Sequence, residues 1–455
     1  MHPTGDGGRA PAARCIPVAV TFRGWCEDVV RASKRVLFVF PTEWDARQLE
    51  HCRESWCDRY EVEWAEPTDS ECPWDLDIVD WIDRIAATYG GRIDGITSAS
   101  DYPGAVVAAV LAEKLGLPGP PPAGILACSH KYYSRLRQLQ IVPEATPAFE
   151  LLDPSDPEAV PQRVGFPCFV KPVKGAFSIM SARIADPDAL RRFFARPQVE
   201  EFRTNFMHIF NALVRHLTDW EFDGRYFLAE ELVQGWQVTV EGCLRGRDVD
   251  ILGITDSERD PRSGSFTRFV FPSRLDADVC ARMEDIARRL VRGLGLADCF
   301  FNIEMMVDPE RDRIWVIEVN PRICGEFADL YHKVLGVNTF ALALETATGA
   351  APGPRPRRGP CAAAASHPLR VFAPVRVERA PGPADLRAAE ALFPGTLVWT
   401  ECEAGQNLAD FASIEDGQSC RYAVVNLGAP EREQLAPCFE AVQERLGYRF
   451  APLPR

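Results

Sequence analysis

The stretch IWVIEVNPR, residues 314–322, begins as an apolar strand and ends in a carboxylate, an amide and a guanidinium. Because side chains alternate across a strand, five of them are expected to share one face, namely Ile314, Val316, Glu318, Asn320 and Arg322. The side chains between them are expected on the other face, namely Trp315, Ile317 and Val319. An apolar strand that ends in three polar groups on one face indicates a polar site at that end.

A second strand precedes this one in the segment FFNIEMMVDPERDRIWVIEVNPR, where DPERD is rich in turn formers. A hairpin centred near Arg311 places Glu304 opposite Glu318, with Asn302 and Met306 on the face of Glu304. Like charges directly opposite each other destabilise a sheet unless a cation neutralises them. Oxygen ligands without His or Cys favour magnesium or manganese over zinc, and magnesium favours a nucleoside triphosphate site. The alternative is a surface hairpin with solvated acids.

The composition limits what this site can serve. The 455 residues are 46% hydrophobic and 25% charged, as expected for a globular protein of two to four units. A formal net charge of -14 argues against a nucleic-acid or anionic-membrane partner, so any bound anion needs a local group of cations. The sequence shows neither a signal-peptide core nor an apolar run approaching the roughly 20 residues of a membrane span. With 15 scattered cysteines, a reduced, cytoplasmic chain is predicted.

Cations that suit phosphate occur in two segments. In FPCFVKPVKGAFS, Lys171 ends an apolar strand, and Lys174 and Ser178 follow in a loop whose backbone amides can assist. Lys131 begins the basic helix in CSHKYYSRLRQL. The alternative for each lysine is a solvated surface position. An apolar slot for adenine is predicted where YFLAE ends, over Glu230, Glu231, Leu232 and Val233.

The order of predicted elements divides the chain. Segment 1–34 is expected to be disordered or partly ordered, and 35–128 alternates strands and helices as a small doubly wound α/β unit. Segment 129–350 mixes helices and hairpins, 351–360 is a Pro/Arg-rich linker, and 361–455 is predicted as an α+β lobe. Since no GxGxxG fingerprint follows the first strand and no GxxxxGK[ST] occurs, a nicotinamide enzyme and a P-loop ATPase are both disfavoured.

Taken in this order, the segments resemble the ATP-grasp superfamily, and within it the carboxylate-amine ligases. The E-x-N-P-R pattern that follows an acidic strand carries most of the resemblance. The resemblance implies a fold of α/β and α+β parts. These are a doubly wound pre-ATP-grasp domain, an ATP-grasp domain with the nucleotide and metal site, and a carboxyl-terminal α+β lobe.

The resemblance also implies a role for each matched residue. Magnesium, with manganese as an alternative, is expected on Glu304, Glu318 and Asn320, and the transferred phosphate or acyl phosphate is expected on Arg322. Phosphate oxygens of ATP are expected on Lys131 and Lys171, and adenine on residues 230–233. Weaker implications are that Glu241 lies near ribose or the amino substrate and that Arg268 contacts phosphate. Family members carry a glycine- and serine-rich lid after Lys171, whereas KGAFSIMS has one glycine. Because the acyl phosphate must be kept from water, a closing lid is expected from residues 174–181 and SERDPRSGSF.

The implied reaction joins a small-molecule carboxylate to an amine, both expected to be amino acids, through an acyl phosphate with release of ADP. A biotin-carboxylase-like or other acyl-phosphate enzyme with a different acceptor is the first alternative, and an inactive nucleotide-binding protein is the second. The sequence leaves the two substrates open. It also leaves open the oligomeric state, although proteins of this architecture are often homodimers.

Overall fold

The computed structural model describes residues 33–67, 76–156, 160–175, 179–350, 358–409 and 418–453. Three of the predictions above fall wholly or largely outside these ranges. They concern the amino-terminal segment 1–34, Ser178 and most of the linker 351–360.

The amino-terminal unit is a parallel sheet packed against helices, as predicted. Its elements, in chain order, are β1 (Lys34–Val39), α1 (Glu43–His51), β2 (Tyr60–Ala65), α2 (Ile78–Tyr89), β3 (Gly95–Thr97) and α3 (Gly104–Leu115). β1 lies between β2 and β3 and runs parallel to both. The side chains of β1 from Val36 onward have no exposed surface, as expected of a strand covered on both faces. Because the carboxyl ends of β1 and β3 lie at one edge, the residues that follow them come close together.

The next region places helices beside an antiparallel sheet. Its elements are α4 (Pro122–Ser129), α5 (Lys131–Ile141), β4 (Phe149–Leu152), β5 (Cys168–Pro172), β6 (Ala182–Ile184), α6 (Pro187–Phe194), α7 (Pro197–Glu201), α8 (His208–Leu217) and β7 (Phe227–Glu231). In the described residues the sheet has four strands in the order β4, β7, β5, β6. Lys171 lies in β5 and Glu230 in the adjacent β7. This pairing brings a predicted phosphate lysine beside the predicted adenine segment.

A larger sheet runs through the rest of the chain. Its region contains β8 (Trp236–Arg245), β9 (Asp248–Arg259), β10 (Phe266–Phe271), α9 (Ala277–Gly293), β11 (Phe300–Asp308), β12 (Arg313–Asn320), α10 (Ala328–Leu335), α11 (Thr339–Ala347), β13 (Ala363–Val371), β14 (Val375–Arg379), α12 (Pro383–Glu390), β15 (Leu397–Thr400), β16 (Asn407–Leu408), β17 (Cys420–Ala429), α13 (Leu435–Leu446) and β18 (Arg449–Pro452). Within the described ranges, eight strands pair in the order β12, β11, β8, β9, β10, β13, β17, β15. Since β10 pairs with β13, with Val270 opposite Ala365, the sheet continues across the predicted linker into the carboxyl-terminal lobe. β14 pairs with β16 and β18 in a separate small sheet.

The predicted hairpin is confirmed. β11 and β12 are antiparallel and joined around Arg311, with Glu304 opposite Glu318 and Asn302 opposite Asn320. On its other side β11 pairs with β8, so the hairpin is anchored in the sheet. The two carboxylates and the two amides therefore lie on one face at the end of the hairpin.

The strict alternation predicted for residues 314–322 is wrong, because the strand contains a β-bulge. The register shifts so that Met305 lies opposite Val316, and Ile317 becomes the extra residue. Ile314 and Val316 therefore pack in the main core together with Val319, not on the face of the carboxylates. The bulge lets the first half of the strand bury its apolar side chains while the second half presents Glu318 to the site.

Helix α9 has the amphipathic pattern expected from its sequence. Met283, Ile286 and Leu290 are buried along one stripe, and the helix covers the sheet opposite the carboxylates. In the part of the chain that the structure describes, no helix is both long and apolar enough to span a bilayer.

The connection between β7 and β8 offers a test of this arrangement. Gly235 has φ +131°, and a Cβ there would stand 2.1 Å from the carbonyl oxygen of Val307 in β11. We expect Gly235→Ala to lower the free energy of unfolding by about 3 kcal/mol or more, because backbone strain and a backbone clash add. Gly246 also has positive φ but no atom within 4 Å of a Cβ, so Gly246→Ala should cost only about 1–2 kcal/mol. Denaturant titration of both variants measures the difference, and equal losses would contradict this account.

Candidate functional site

The end of the β11–β12 hairpin brings two acids face to face. Glu304 accepts a hydrogen bond from Gln237 Nε2 at 2.8 Å and another from Asn320 Nδ2 at 3.4 Å. Burial and the neighbouring charge of Glu318 raise the pKa of Glu304. Positive charge close to the pair is therefore needed to keep both acids ionised.

The donor set fits magnesium or manganese. Glu304, Glu318 and Asn320 offer oxygen ligands, and the raised pKa of Glu304 is a cost that a divalent cation between the acids would relieve. Among the described residues, no three or more His, Cys, Asp and Glu side chains group closely enough to hold a metal ion. A cation at this hairpin would need further oxygens, such as those of phosphate. The assignment of these three ligands stays a prediction.

The two predicted phosphate lysines lie on different elements, and each contacts a different carboxylate. Lys131 begins α5, and its Nζ lies 2.8 Å from Glu318 Oε1 and donates to the carbonyl of Gly175 at 3.0 Å. Lys171 Nζ lies 2.7 Å from Glu230 Oε2. Burial lowers the pKa of Lys171, although Glu230 opposes that shift. Both lysines are buried and held by carboxylates, so their ammonium groups have fixed positions near the acid pair.

Arg135 is a site residue that the sequence analysis missed. Its Nε lies 2.6 Å from Glu230 Oε1, and its Nη2 donates to the carbonyl of the bulge residue Ile317 at 2.8 Å. Burial alone would raise the pKa of Glu230, but Arg135 and Lys171 outweigh it and lower this pKa to about 2. The available signal was the spacing of Lys131 and Arg135, which are four residues apart and thus on one face of α5.

Of the four residues predicted to contact adenine, Glu230 and Glu231 make contacts within the protein, whereas Leu232 and Val233 follow the end of β7. Glu230 is buried, and its carboxylate is occupied by the two cations just described. The backbone N–H of Glu231 donates to the carbonyl of Ala148 at 3.0 Å. Leu232 and Val233 follow the end of β7 and are half-buried. The adenine prediction therefore rests on the backbone of Leu232 and Val233 and no longer on the side chain of Glu230.

Arg322 meets the amino-terminal unit at the carboxyl end of β3. Its Nε lies 3.9 Å from Asp101 Oδ1, and Lys174 Nζ lies 2.7 Å from Asp101 Oδ2. Burial alone would raise the pKa of Asp101, but Lys174 and Arg322 lower it to about 2. The ammonium of Lys174 also lies 5.7 Å from the ring centroid of Tyr102. Lys174, predicted to contact phosphate, is thus held by Asp101, a residue that the sequence analysis did not select.

Glu241 lies in β8 opposite Asn302 of β11, next to the acid pair. It has no exposed surface, and it accepts hydrogen bonds from Asn302 Nδ2 at 3.1 Å and from the backbone N–H of Cys324 at 3.4 Å. Burial raises its pKa to about 8. The side chain ties the sheet to the segment that follows Arg322. Its place near ribose or the amino substrate stays a prediction.

Arg268 is not brought to the site, contrary to the prediction. The adjacent Phe269 faces the segment after Arg322, since its ring centroid lies 5.1 Å from that of Phe327. Alternation along β10 puts Arg268 on the opposite face, where it donates two hydrogen bonds of 2.9 Å to Glu258. Strand parity removes Arg268 from the candidate set.

Arg259 extends the polar network on the face of the acids. Its Nη2 donates to Gln237 Oε1, and Gln237 in turn donates to Glu304. Arg259 falls in SERDPRSGSF, which was predicted as a lid. The structure instead continues β9 to Arg259 and closes the remainder as a tight turn, with the N–H of Asp260 bonded to the carbonyl of Ser265. The other predicted lid comprises residues 174–181. The structure describes this segment except for residues 176–178.

A separate groove of about 360 Å³ lies at the far end of the β11–β12 hairpin, beside Trp236, Asp308 and Arg313. It contains none of the paired acids or lysines. We therefore assign the candidate site from its chemistry and not from cavity volume.

Comparison with known proteins agrees with this geometry. Residues 164–329 match the family model of the ATP-grasp domain, which covers β5 to β12. The L-amino acid ligase from Bacillus licheniformis superposes with a TM-score of 0.72 at 18% identity, covering 93% of this chain and 100% of that chain. The chain contains an ATP-grasp domain, and its fold is the ATP-grasp fold.

Two curated relatives are similar over shorter stretches. The carbamoyl phosphate synthase large chain of Thermus thermophilus is 32% identical over 126 residues, 27% of this chain and 12% of the relative. Human carnosine synthase 1 is 27% identical over 280 residues, 59% of this chain and 32% of the relative. The matched segments thus span a third or less of these curated relatives.

The buried cation at Glu230 can be tested by substitution. We expect Arg135→Gln to lower the free energy of unfolding by about 3–5 kcal/mol at neutral pH, because it leaves a buried carboxylate with one cation fewer. The lowered pKa of Glu230 stabilises the fold at pH values above about 4.5, the ordinary pKa of this side chain. That stabilisation is lost as the pH falls toward 2. The loss caused by Arg135→Gln should therefore shrink over the same interval.

Arg137→Gln is the matched control. Arg137 lies on the same helix but is exposed, where it donates to the carbonyl of Gly293 at 3.2 Å, so its loss should change the stability by about 0.5 kcal/mol or less. Denaturant titrations at pH 7 and pH 4 measure both variants. An effect of Arg135→Gln no larger than that of the control would refute the assigned role.

Proposed function

We propose that the protein is an ATP-dependent carboxylate-amine ligase that forms an amide through an acyl phosphate and releases ADP and phosphate. The observation that carries the proposal is the convergence at one hairpin end of Glu304, Glu318 and Asn320 with Lys131 and Arg322. Such a cluster suits phosphoryl transfer, which asks for positioning and charge neutralisation more than for a protein nucleophile.

The comparison with the L-amino acid ligase supports this reaction, because its TM-score of 0.72 exceeds the 0.63 of the biotin carboxylase from Campylobacter jejuni, although the two similarities cover 93% and 92% of the chain. It also supports amino acids as the substrate class. The similarity to carnosine synthase 1 crosses more of the chain than the similarity to carbamoyl phosphate synthase does. The alternative is an acyl-phosphate enzyme with a different acceptor. Product analysis distinguishes it from a carboxylate-amine ligase.

The roles of the chain's residues follow from their positions. Leu232 and Val233 orient the adenine through their backbone, and Lys131 and Lys171 hold phosphate oxygens of ATP. A divalent cation held by Glu304, Glu318 and Asn320 would supply charge neutralisation on the phosphate oxygens. Arg322 holds the transferred phosphoryl group beside the substrate carboxylate.

The bond changes balance in two steps. A carboxylate oxygen of the first substrate bonds to the γ-phosphorus as the bond from that phosphorus to the bridging oxygen breaks, and ADP leaves. The amine nitrogen of the second substrate then bonds to the acyl carbon, the carbon–oxygen bond to phosphate breaks, and the nitrogen loses a proton. Exclusion of water from the formation of the acyl phosphate until the amine attacks protects this intermediate from hydrolysis.

Nucleotide product analysis tests the proposal. With magnesium, ATP and pooled amino acids, we expect ADP and phosphate to form only when a substrate pool is present. Glu318→Gln should lower the rate at least about 100-fold, because an acid of the phosphate site is lost. Glu258→Gln is the matched control, since Glu258 is a half-buried acid of the same sheet that pairs with Arg268 on the other face, and it should leave the rate near wild type.

Formation of AMP and pyrophosphate would replace acyl phosphate with adenylate chemistry. Full activity in Glu318→Gln would exclude the assigned phosphate site. ADP formation without an amide product would favour the alternative acceptor.

A further inference from the structure

The face that carries Glu304 continues across the large sheet into the carboxyl-terminal lobe. Met306 pairs with Gln237, and Gln237 pairs with Ser257. Ser257 pairs with Phe269, which pairs with Ser366, and Ser366 pairs with Asn426. Directly paired residues lie on the same face, so Ser366 and Asn426 share the face of the acid pair.

The segment that leaves Arg322 lies over this row. Four residues after Arg322, Glu326 accepts a hydrogen bond from Ser366 Oγ at 3.1 Å. The backbone carbonyl of Glu326 accepts from Asn426 Nδ2 at 3.5 Å. The candidate phosphate residue and a second carboxylate are therefore carried by one short segment above the sheet.

In the part of the chain that the structure describes, the ion pair that Glu326 makes is long. Arg421 Nη1 is 3.9 Å from Glu326 Oε2, but Arg421 directs two hydrogen bonds of 2.7 and 2.8 Å to Glu401. A guanidinium engaged by one carboxylate in this way has its fork committed to that partner. Consistent with this, burial outweighs Arg421 and raises the pKa of Glu326. Positive charge from a ligand would neutralise this acid.

Asn426 provides an independent observation. It has no exposed surface, and its Oδ1 finds no hydrogen-bond donor among the residues that the structure describes. A buried acceptor without a donor costs about 1–3 kcal/mol, which a ligand with N–H groups would recover. The carboxylate of Glu326 and this amide oxygen are acceptors, and a primary ammonium offers three donors together with the missing charge.

The amino-terminal unit closes the same region with aromatic rings. A Cβ on Gly325 would stand 3.2 Å from Trp44, so the backbone between Arg322 and Glu326 packs directly on that indole. The ring centroid of Trp44 lies 5.7 Å from that of Trp399 in the carboxyl-terminal lobe. The guanidinium of Arg47 lies 5.7 Å from the ring centroid of Trp399, so positive charge is already accommodated at this aromatic wall.

We propose that Glu326, Ser366 and Asn426 form a subsite for an ammonium group of the carboxylate substrate. This inference rests on the proposed ligase function and assigns its specificity. Arg322 holds the transferred phosphoryl group beside the substrate carboxylate while the subsite holds the ammonium, so the enzyme accepts amino acids and rejects the same acids without the amino group.

Hydroxamate formation tests the subsite without involving the amine substrate. Hydroxylamine serves as the acceptor, and the twenty protein amino acids and β-alanine are compared with their des-amino carboxylic acids. We expect wild-type kcat/KM to favour the amino acid at least tenfold over its des-amino partner. Glu326→Gln should bring that ratio close to one while the KM for ATP stays unchanged.

Ser366→Ala is the second variant, since it removes the hydroxyl that orients Glu326 and keeps the charge, and it should lower the ratio by a smaller factor. Glu258→Gln is the control on the opposite face and should keep the wild-type ratio. An unchanged ratio in Glu326→Gln, with hydroxamate still formed, would overturn the subsite alone. If the wild-type enzyme forms no hydroxamate with any of the tested acids, the ligase function and the subsite are overturned together.

Discussion

Two carboxylates placed directly opposite each other in an antiparallel pair are the constraint on which the rest of the site depends. Glu304 and Glu318 would repel each other, and burial makes that repulsion stronger. The surroundings of the pair offset it with Lys131 against Glu318 and with the amides of Gln237 and Asn320 against Glu304. Each of these groups comes from a different strand or helix, so the acids link elements that are distant in the chain.

The cations of the site are likewise fixed by acids. Lys171 and Arg135 share Glu230, and Lys174 is held by Asp101. A protein of net charge -14 can therefore maintain a local group of cations for phosphate, because each is oriented before any ligand arrives. The pairs also connect two parts of the fold, since Asp101 belongs to the amino-terminal unit and Lys174 follows β5 of the four-stranded sheet.

Local patterns predicted the elements well, and what they missed was set by details of register and by distant contacts. The hairpin and its facing acids followed from alternation and a turn, both of which are local. The bulge at Ile317 reverses the face of Val316 relative to Glu318, and no residue type in that strand indicates a bulge. Asp101 and Arg322 meet across 221 positions of sequence, a contact that only the folded chain defines. The side of the sheet on which Arg268 lies depended in the same way on register.

The continuity of the large sheet across residues 351–360 has a consequence for dissecting the protein. A fragment ending near residue 350 would keep every residue of the acid hairpin, but it would strip β13 from β10 and expose the edge of β10 over residues 269–271. An unpaired, largely apolar edge strand is a template for pairing with other chains. The carboxyl-terminal lobe thus covers this edge of the large sheet and protects it from self-association.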